Sequence, residues 1–265
     1  MYDTLLYALA GGAVGFVVGM TGVGGGSFMT PILLAFGFPP PVAVGTDLLY
    51  AAITKSGGVV SHALRRTVEW PVVLYLSAGS LPAALATTLL LHQFKQRGVH
   101  YDGLITTCLG VMLVATAAVL VFRSFLMHAR EEIADERSPL GAFERRHARL
   151  LTWLLGLLLG VAVTLTSVGA GAVAAAVLAL LYPRMSMLRV IGTDLAHAVP
   201  LTLIGGIAHW TLGHVDFALL GGLLIGSLPG IWLGTRVASA IPERFMQRGM
   251  ATLLFLLGLR YTLMA

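Results

Sequence analysis

Long apolar runs separated by short polar segments dominate this chain of 265 residues. Eight apolar stretches occur, and they cover residues 4–37, 40–64, 70–91, 102–127, 149–182, 186–211, 216–240 and 245–264. Six of them have the ~20–25 residues that one helix needs to cross a bilayer. The pattern therefore predicts an all-α polytopic membrane protein.

The first and fifth stretches differ from the others in length. Each has about 33 residues, so a straight helix would be ~50 Å long, against an apolar bilayer core of ~30 Å. Glycine-rich sequence interrupts both, at residues 22–27 and 167–171. We therefore predict that each stretch is a hairpin of two half-helices, joined by a non-helical tip at membrane depth.

The two halves of the chain resemble each other. Five short segments match in the same order at an offset of 147 residues, and a two-residue gap also aligns the glycine-rich segments. The matched segments are Gly45–Asp47 with Gly192–Asp194, His62 with His209, Val68–Trp70 with Val215–Phe217, Gly79–Pro82 with Gly226–Pro229, and Thr88 with Thr235. This repeat predicts a first transmembrane repeat at 1–127, a connector at 128–148 and a second repeat at 149–265. Each repeat would contain one hairpin and three transmembrane helices.

Charge placement predicts the topology. Only 11% of residues are charged and 57% are hydrophobic, which fits a bilayer as solvent. The net charge of +5 does not indicate a nucleic-acid partner, because the basic residues lie mostly in short loops. With two hairpins, 13 Lys and Arg residues fall on one side and 3 on the other, which leaves Lys55 inside the membrane. The positive-inside rule then predicts a multi-pass inner-membrane protein with a cytoplasmic connector, two periplasmic termini and inverted repeats.

Inverted repeats with broken helices are typical of secondary transporters, whose substrates bind near the middle of the membrane. Backbone N–H groups of the glycine-rich segments, together with the helix starts that follow, would attract an anion. The candidate binding residues are Gly24, Gly25, Gly26 and Ser27 in the first segment, and Gly169 and Gly171 in the second. The alternative is that these glycines only allow close packing of helices.

Lys55 lies in the middle of the second stretch. A cation at that depth costs at least ~2.5–3.5 kcal/mol, so it requires a partner or a cavity. The partner is either an anionic substrate or Asp47, in a structural ion pair. Thr46 and Thr193 are candidate hydroxyl donors to the substrate.

Asp47 and Asp194 lie near the starts of matching helices and are candidates for a coupling proton, although short acidic residues at such positions are often N-caps. His197 follows Asp194 by one helical turn and is either a proton relay or a structural histidine. The matched His62 and His209 are interpreted as structural histidines near helix ends.

Several classes of function are disfavoured by what the sequence lacks. The single cysteine, Cys108, forms neither an intramolecular disulfide nor a zinc site, and no cofactor or metal site is predicted. The chain contains neither a Walker motif nor the Gly-x-Ser-Gly tetrapeptide of a rhomboid-like protease, so we predict that it is not an enzyme. An anion channel and a carrier for small carboxylates remain alternatives to a secondary transporter.

Glycine and Gly-Thr-Asp motifs carry a family resemblance. They are Gly15, Gly19, Gly22–Ser27, Pro31, Ala43 and Gly45–Asp47 in the first half, and Gly156, Gly160, Val168–Gly171 and Gly192–Asp194 in the second. Over nearly its whole length the chain resembles the TauE/SafE family of sulfite exporters. The resemblance implies transport of sulfite, sulfonates or related sulfur-containing anions. We expect the proton gradient or the membrane potential to drive this transport. Ala170 and Ala172 replace the glycine and serine of the first segment, so the site is not expected to be strictly symmetric.

Overall fold

The computed structural model describes residues 2–21, 29–134, 139–237 and 243–263. Helices account for nearly all of these residues and no strand occurs among them, which confirms the predicted all-α fold. The helices are α1 Tyr2–Thr21, α2 Met29–Ala35, α3 Pro40–Leu64, α4 Trp70–Gln96, α5 Asp102–Val121, α6 Arg123–Ala134, α7 Pro139–Thr166, α8 Ala172–Leu181, α9 Met187–Thr211, α10 Phe217–Val237 and α11 Glu243–Leu263.

The fifth apolar stretch is broken into α7 and α8. Its two ends lie together, because the hydroxyl groups of Thr152 and Tyr182 are 2.7 Å apart. From Thr152 to the end of α7 at Thr166 the helix rises about 21 Å, less than the ~30 Å of an apolar bilayer core. If Thr152 lies near the membrane surface, the loop at 167–171 lies inside that core, and this position stays a prediction.

The first stretch is divided in the same way into α1 and α2. The rings of Tyr7, near its start, and Phe38, just beyond its end, are 5.7 Å apart, so both ends of the stretch lie on one side. The two arms are unequal, since α1 has 20 residues and α2 only 7. The residues between the arms, 22–28, lie outside the described part of the chain.

Helices α3 and α9 cross each other at the centre in antiparallel directions. The start of α3 contacts the end of α9, where a methyl group built on Gly45 would lie 2.9 Å from His209 Cβ. The end of α3 contacts the start of α9, where one built on Gly192 would lie 2.7 Å from His62 Nδ1. The two contacts are equivalent, because Gly45 matches Gly192 and His209 matches His62 in the repeat.

Close helix pairs flank this centre, and each pair combines one helix from each half. A methyl group built on Gly156 of α7 would lie 2.3 Å from the carbonyl oxygen of Leu76 on α4. The equivalent pair, Gly11 of α1 and Leu223 of α10, would have the same 2.3 Å separation. Small residues let the backbones approach this closely, as in other membrane helix pairs. The matched contacts support inverted repeats, which remain a prediction.

Five of the described helical segments are long and apolar enough to cross a membrane: Trp70–Gln96, Asp102–Val121, Arg146–Thr166, Met187–Thr211 and Phe217–Gly234. Helix α3 has 25 residues but is not one of them. Its buried polar and charged side chains, among them Thr46, Asp47 and Lys55, lower its apolar character. Because these side chains are inside the protein, the polarity of α3 belongs to an internal site.

The connector is partly helical. Helix α6 and the first turns of α7 extend into residues 128–148. The Arg130 guanidinium donates hydrogen bonds to the carbonyl oxygens of Pro183 (3.2 Å) and Met185, in the loop between α8 and α9. The connector is therefore attached to the end of the molecule that carries the α8–α9 loop.

Candidate functional site

The loop at 167–171 ends α7 and requires glycine at two positions. Gly169 and Gly171 have φ angles of +116° and +143°, a region that residues with a Cβ atom rarely adopt. Ser167 also has a positive φ, +57°. The Thr166 hydroxyl accepts a hydrogen bond from the N–H of Val168 (3.1 Å), which fixes the start of the turn. Within the described residues, the N–H groups of 169–171 make no hydrogen bond.

Asp47 holds this loop and the start of α2 together. Its Oδ2 accepts hydrogen bonds from the Thr30 backbone N–H (3.1 Å) and hydroxyl group, and from the Ser167 hydroxyl (3.0 Å). Thr30 belongs to α2, Asp47 to α3 and Ser167 to the loop. Asp47 is fully buried, and the three hydrogen bonds stabilise its negative charge in the absence of water. It therefore connects the two broken stretches, a role different from that of a simple N-cap.

Lys55 is buried on α3, with 4% of its surface exposed. Its ammonium group donates a hydrogen bond to the carbonyl oxygen of Ala170, 2.9 Å away in the loop. It also interacts electrostatically, at longer range, with Asp194 and Asp47. No ion pair joins Lys55 to Asp47, so the structural alternative considered for this lysine does not have the predicted geometry. The structure thus brings Lys55 and the loop together.

Asp194 and His197 form the corresponding part of α9. His197 is fully buried, and its Nε2 is 2.7 Å from the hydroxyl oxygen of Ser80 on α4. Asp194 is also buried, and it makes no hydrogen bond to the described residues. Its main charged neighbour is Lys55. The loop, α3, α4 and α9 therefore enclose one cluster of charged and polar groups.

Four buried side-chain polar atoms in the described residues lack a hydrogen-bond partner: Asp47 Oδ1, Tyr50 OH, Asp194 Oδ1 and His197 Nδ1. The four residues are equivalent in pairs at the 147-residue offset, Asp47 with Asp194 and Tyr50 with His197. Unsatisfied buried polar atoms are rare and require an explanation. Three of these atoms, on Asp47, Asp194 and His197, belong to the cluster around Lys55 and indicate a place where a ligand or water binds.

Thr46 and Thr193 form equivalent hydrogen bonds between the halves. The Thr46 hydroxyl accepts from the Asp216 N–H (3.2 Å), and the Thr193 hydroxyl accepts from the Glu69 N–H (3.0 Å). Both side chains are fully buried. These bonds position the starts of α10 and α4. Direct contact of the two threonines with substrate stays a prediction.

His62 and His209 make structural contacts. His62 Nδ1 is 2.8 Å from the Thr67 hydroxyl, and His209 Nε2 donates to the Thr164 carbonyl oxygen at 2.8 Å. His209 Nδ1 also faces His214 Nδ1 at 3.3 Å. The interpretation of both as structural histidines agrees with these contacts.

Gly24, Gly25, Gly26 and Ser27 lie outside the described residues, so their predicted role stays a prediction. In the described ranges, no group of three or more His, Cys, Asp or Glu side chains has the arrangement of a metal site.

The sequence interpretation missed Thr30, Tyr50, Ser80 and Ser167 as members of the cluster. Tyr50 could have been found, because it follows Asp47 by three residues as His197 follows Asp194. Ser80 lies in the Gly-Ser-Leu-Pro segment that is matched between the halves, so the repeat could have identified it. The contacts of Thr30 and Ser167 with Asp47 depend on tertiary structure and have no comparable sequence signal.

The broken helices, the membrane-length helices and the buried charged cluster together define a multi-pass helical membrane protein of the transporter class. Comparison with known sequences gives the same class. The sequence model of the family described as "Sulfite exporter TauE/SafE" matches residues 7–261. The chain therefore belongs to the TauE/SafE family of membrane transporters.

Individual relatives are similar over most of the chain. The "Probable membrane transporter protein YjnA" of Bacillus subtilis (strain 168) is 37% identical over 95% of this chain and 97% of its own length. A second protein of that organism, "Probable membrane transporter protein YdhB", is 25% identical over 87% of this chain and 88% of its own. The "Sulfite exporter TauE/SafE family protein 3" of Arabidopsis thaliana is 35% identical over 27% of this chain and 15% of its own. No solved structure matches the chain.

Proposed function

We propose that this protein is a secondary transporter of a small sulfur-containing anion, such as sulfite or a sulfonate. The binding site would lie between the loop at 167–171, Lys55 and the predicted first glycine segment. The family name supports sulfur-containing anions as the substrate class, since the matching family is described as sulfite exporters.

The buried ammonium group of Lys55 is the observation that carries the proposal. A lysine that only stabilised the fold would form an ion pair, whereas Lys55 donates to a neutral carbonyl group of a broken-helix loop. The N–H groups of that loop and the start of α8 add positive potential beside Lys55. An anion bound there could accept hydrogen bonds from the ammonium group and from these N–H groups.

The same proposal includes location and orientation. Helices long enough to cross a membrane and the transporter relatives support a multi-pass membrane protein. We place it in the cytoplasmic (inner) membrane, with both termini in the periplasm and the connector in the cytoplasm, because of the 13-to-3 distribution of basic residues.

Replacement of Lys55 by methionine tests the site. We expect Lys55→Met to weaken anion binding by more than tenfold, or ~1.4 kcal/mol, and to slow uptake correspondingly. The thermal stability of the purified variant should be unchanged, because no ion pair is lost. Binding and uptake are measured in proteoliposomes against sulfite, alkyl sulfonates and small carboxylates.

Two controls make this experiment decisive. Thr107→Val changes an exposed side chain whose hydroxyl donates to the Gly103 carbonyl oxygen of its own helix, and it should leave both uptake and stability unchanged. Normal uptake with lowered stability in Lys55→Met would show that Lys55 is structural and would refute the proposed site. Preference for carboxylates over all sulfur-containing anions would refute the substrate class.

A further inference from the structure

An anion that enters the central cluster meets an unfavourable charge balance. The charged side chains of the cluster are two carboxylates, Asp47 and Asp194, and one ammonium group, Lys55. Neither glycine-rich segment, 22–27 or 167–171, contains a charged residue. If both carboxylates are ionised, the empty site has one net negative charge. A bound monovalent anion would change the net charge of the site from −1 to −2, in a buried place where uncompensated charge is costly.

Asp47 is poorly suited to relieve this imbalance. Three donors, two from Thr30 and one from Ser167, point at its Oδ2 atom. Hydrogen bonds to a carboxylate favour its ionised form. A proton on Asp47 would weaken the contacts that join the two broken stretches, so this residue is best kept ionised.

Asp194 has the opposite environment. No donor among the described residues bonds to it, and its Oδ1 is buried without a partner. Asp194 and Lys55 are both buried, with 4% of each residue exposed. A protonated Asp194 would no longer repel an anion and could donate a hydrogen bond to it.

The remaining groups around Asp194 do not replace it in this role. Lys55 faces it from α3, while the neighbouring helix α4 and the loop contribute the Ser80 hydroxyl and the Ala170 carbonyl, which are uncharged. His197, on the same helix, lies next to Lys55 and is bonded to Ser80. Protonation of the buried His197 imidazole would place a second positive charge beside Lys55. No carboxylate among the described residues forms a hydrogen bond with this imidazole to compensate that charge.

We propose that Asp194 binds one proton when the anion binds, so that the anion and the proton cross the membrane together, while Asp47 stays ionised and holds the two broken stretches. The carboxylate of Asp194 becomes a carboxylic acid on loading and loses the same proton when the anion leaves. This inference rests on the proposed function, and it assigns different roles to two equivalent aspartates.

Proton uptake on binding tests the proposal without any substitution. A short alkyl sulfonate is the probe, because it stays ionised from pH 5 to 9 and cannot itself supply a proton. We expect the purified protein in weak buffer to take up about one proton per sulfonate bound. At pH values at which Asp194 is ionised in the empty protein, the Kd for the sulfonate should rise roughly tenfold per pH unit, because binding then requires the uptake of one proton. Sulfonate binding with no proton uptake and no pH dependence would overturn the proposal and leave the proposed function intact.

Variants identify the residue that carries the proton. Asp194→Asn should bind the sulfonate with little pH dependence and without proton uptake. Any folded His197→Gln or Asp47→Asn protein that still binds the sulfonate, at whatever affinity, should keep the uptake of about one proton per sulfonate bound. Retained proton uptake in Asp194→Asn, or its loss in His197→Gln alone, would overturn the assignment. Failure of the unmodified protein to bind any sulfur-containing anion would instead refute the proposed function, and this inference with it.

Discussion

Single residues at equivalent positions have acquired different surroundings in the two halves. Asp47 and Asp194 occupy the same place in the Gly-Thr-Asp motif. The first accepts three hydrogen bonds, and the second accepts none from the described residues. The reason lies outside the motif, since the hydroxyl groups that reach Asp47 come from α2 and from the loop at 167–171. Two identical motifs thus carry different chemistry.

This difference predicts unequal effects of the same substitution on stability. Asp47→Asn removes the charge that three donors stabilise, and it should lower stability by about 1.5–3 kcal/mol. Asp194→Asn loses only the interaction at longer range with Lys55 and no hydrogen bond to the described residues, so it should lower stability less than Asp47→Asn. Thermal unfolding of both purified variants, at one pH above 7, measures the effect. An equal loss of stability in the two proteins would contradict this account of their surroundings.

The sequence allowed a prediction for single residues where a residue type was unusual for its position. Lys55 stands out because a cation inside an apolar stretch requires compensation, and the structure places it against the loop at 167–171. Thr46 and Thr193 are predicted hydroxyl donors to the substrate. In the structure their hydroxyls accept hydrogen bonds from the backbone of the opposite half, a contact that no local pattern encodes.

Helix pairs carry the next level of organisation. Length and apolar composition predicted α3 at its observed bounds, and the starts of α4, α5, α9 and α10 to within one residue. They also predicted the interruption in the two long stretches. The pairing of each long arm with a helix of the other half was not predicted, because it depends on tertiary contacts such as that of Gly156 with Leu76.

That packing gives a prediction for the glycines of α7. A methyl group on Gly160 would lie 2.4 Å from the Ser80 carbonyl oxygen, so Gly160→Ala must push α4 and α7 apart. We expect a loss of stability of about 1–3 kcal/mol, the range for overpacked sites. Gly221→Ala is the matched control, because no atom lies within 4 Å of the added group and α10 continues through it. Thermal unfolding of both proteins gives the comparison, and a Gly160→Ala protein as stable as the control would contradict close packing.

At the scale of the whole molecule, the polar loops fall into two groups at opposite ends. Glu69 and Arg189 form an ion pair that joins the α3–α4 loop to the start of α9. At the other end, the Lys95 ammonium donates to the Leu212 carbonyl oxygen at 2.9 Å. The arginine-rich loops lie at the first end, in agreement with the charge distribution from which the topology was predicted.

Labelling of single cysteines tests the orientation. In a protein with Cys108→Ala, we expect Arg97→Cys to react with a membrane-impermeant thiol reagent in intact cells. Arg65→Cys should react only after the cytoplasmic membrane is opened. Both positions are exposed loop residues, so access to the reagent depends on the side of the membrane. The reverse pattern would place both termini in the cytoplasm and contradict the proposed topology.

The mixed helix pairs have a consequence for how such a molecule could move. In α1 with α10, α4 with α7, and α5 with α11, one partner comes from each half of the chain; Gly110 and Gly258, for example, lie at the contact of α5 and α11. The sequence repeats are therefore interleaved and do not form two separate lobes. A rocking motion of one repeat against the other would pull these tight backbone contacts apart. Any alternation between inward and outward openings must follow a boundary that crosses the repeats and keeps each mixed pair intact.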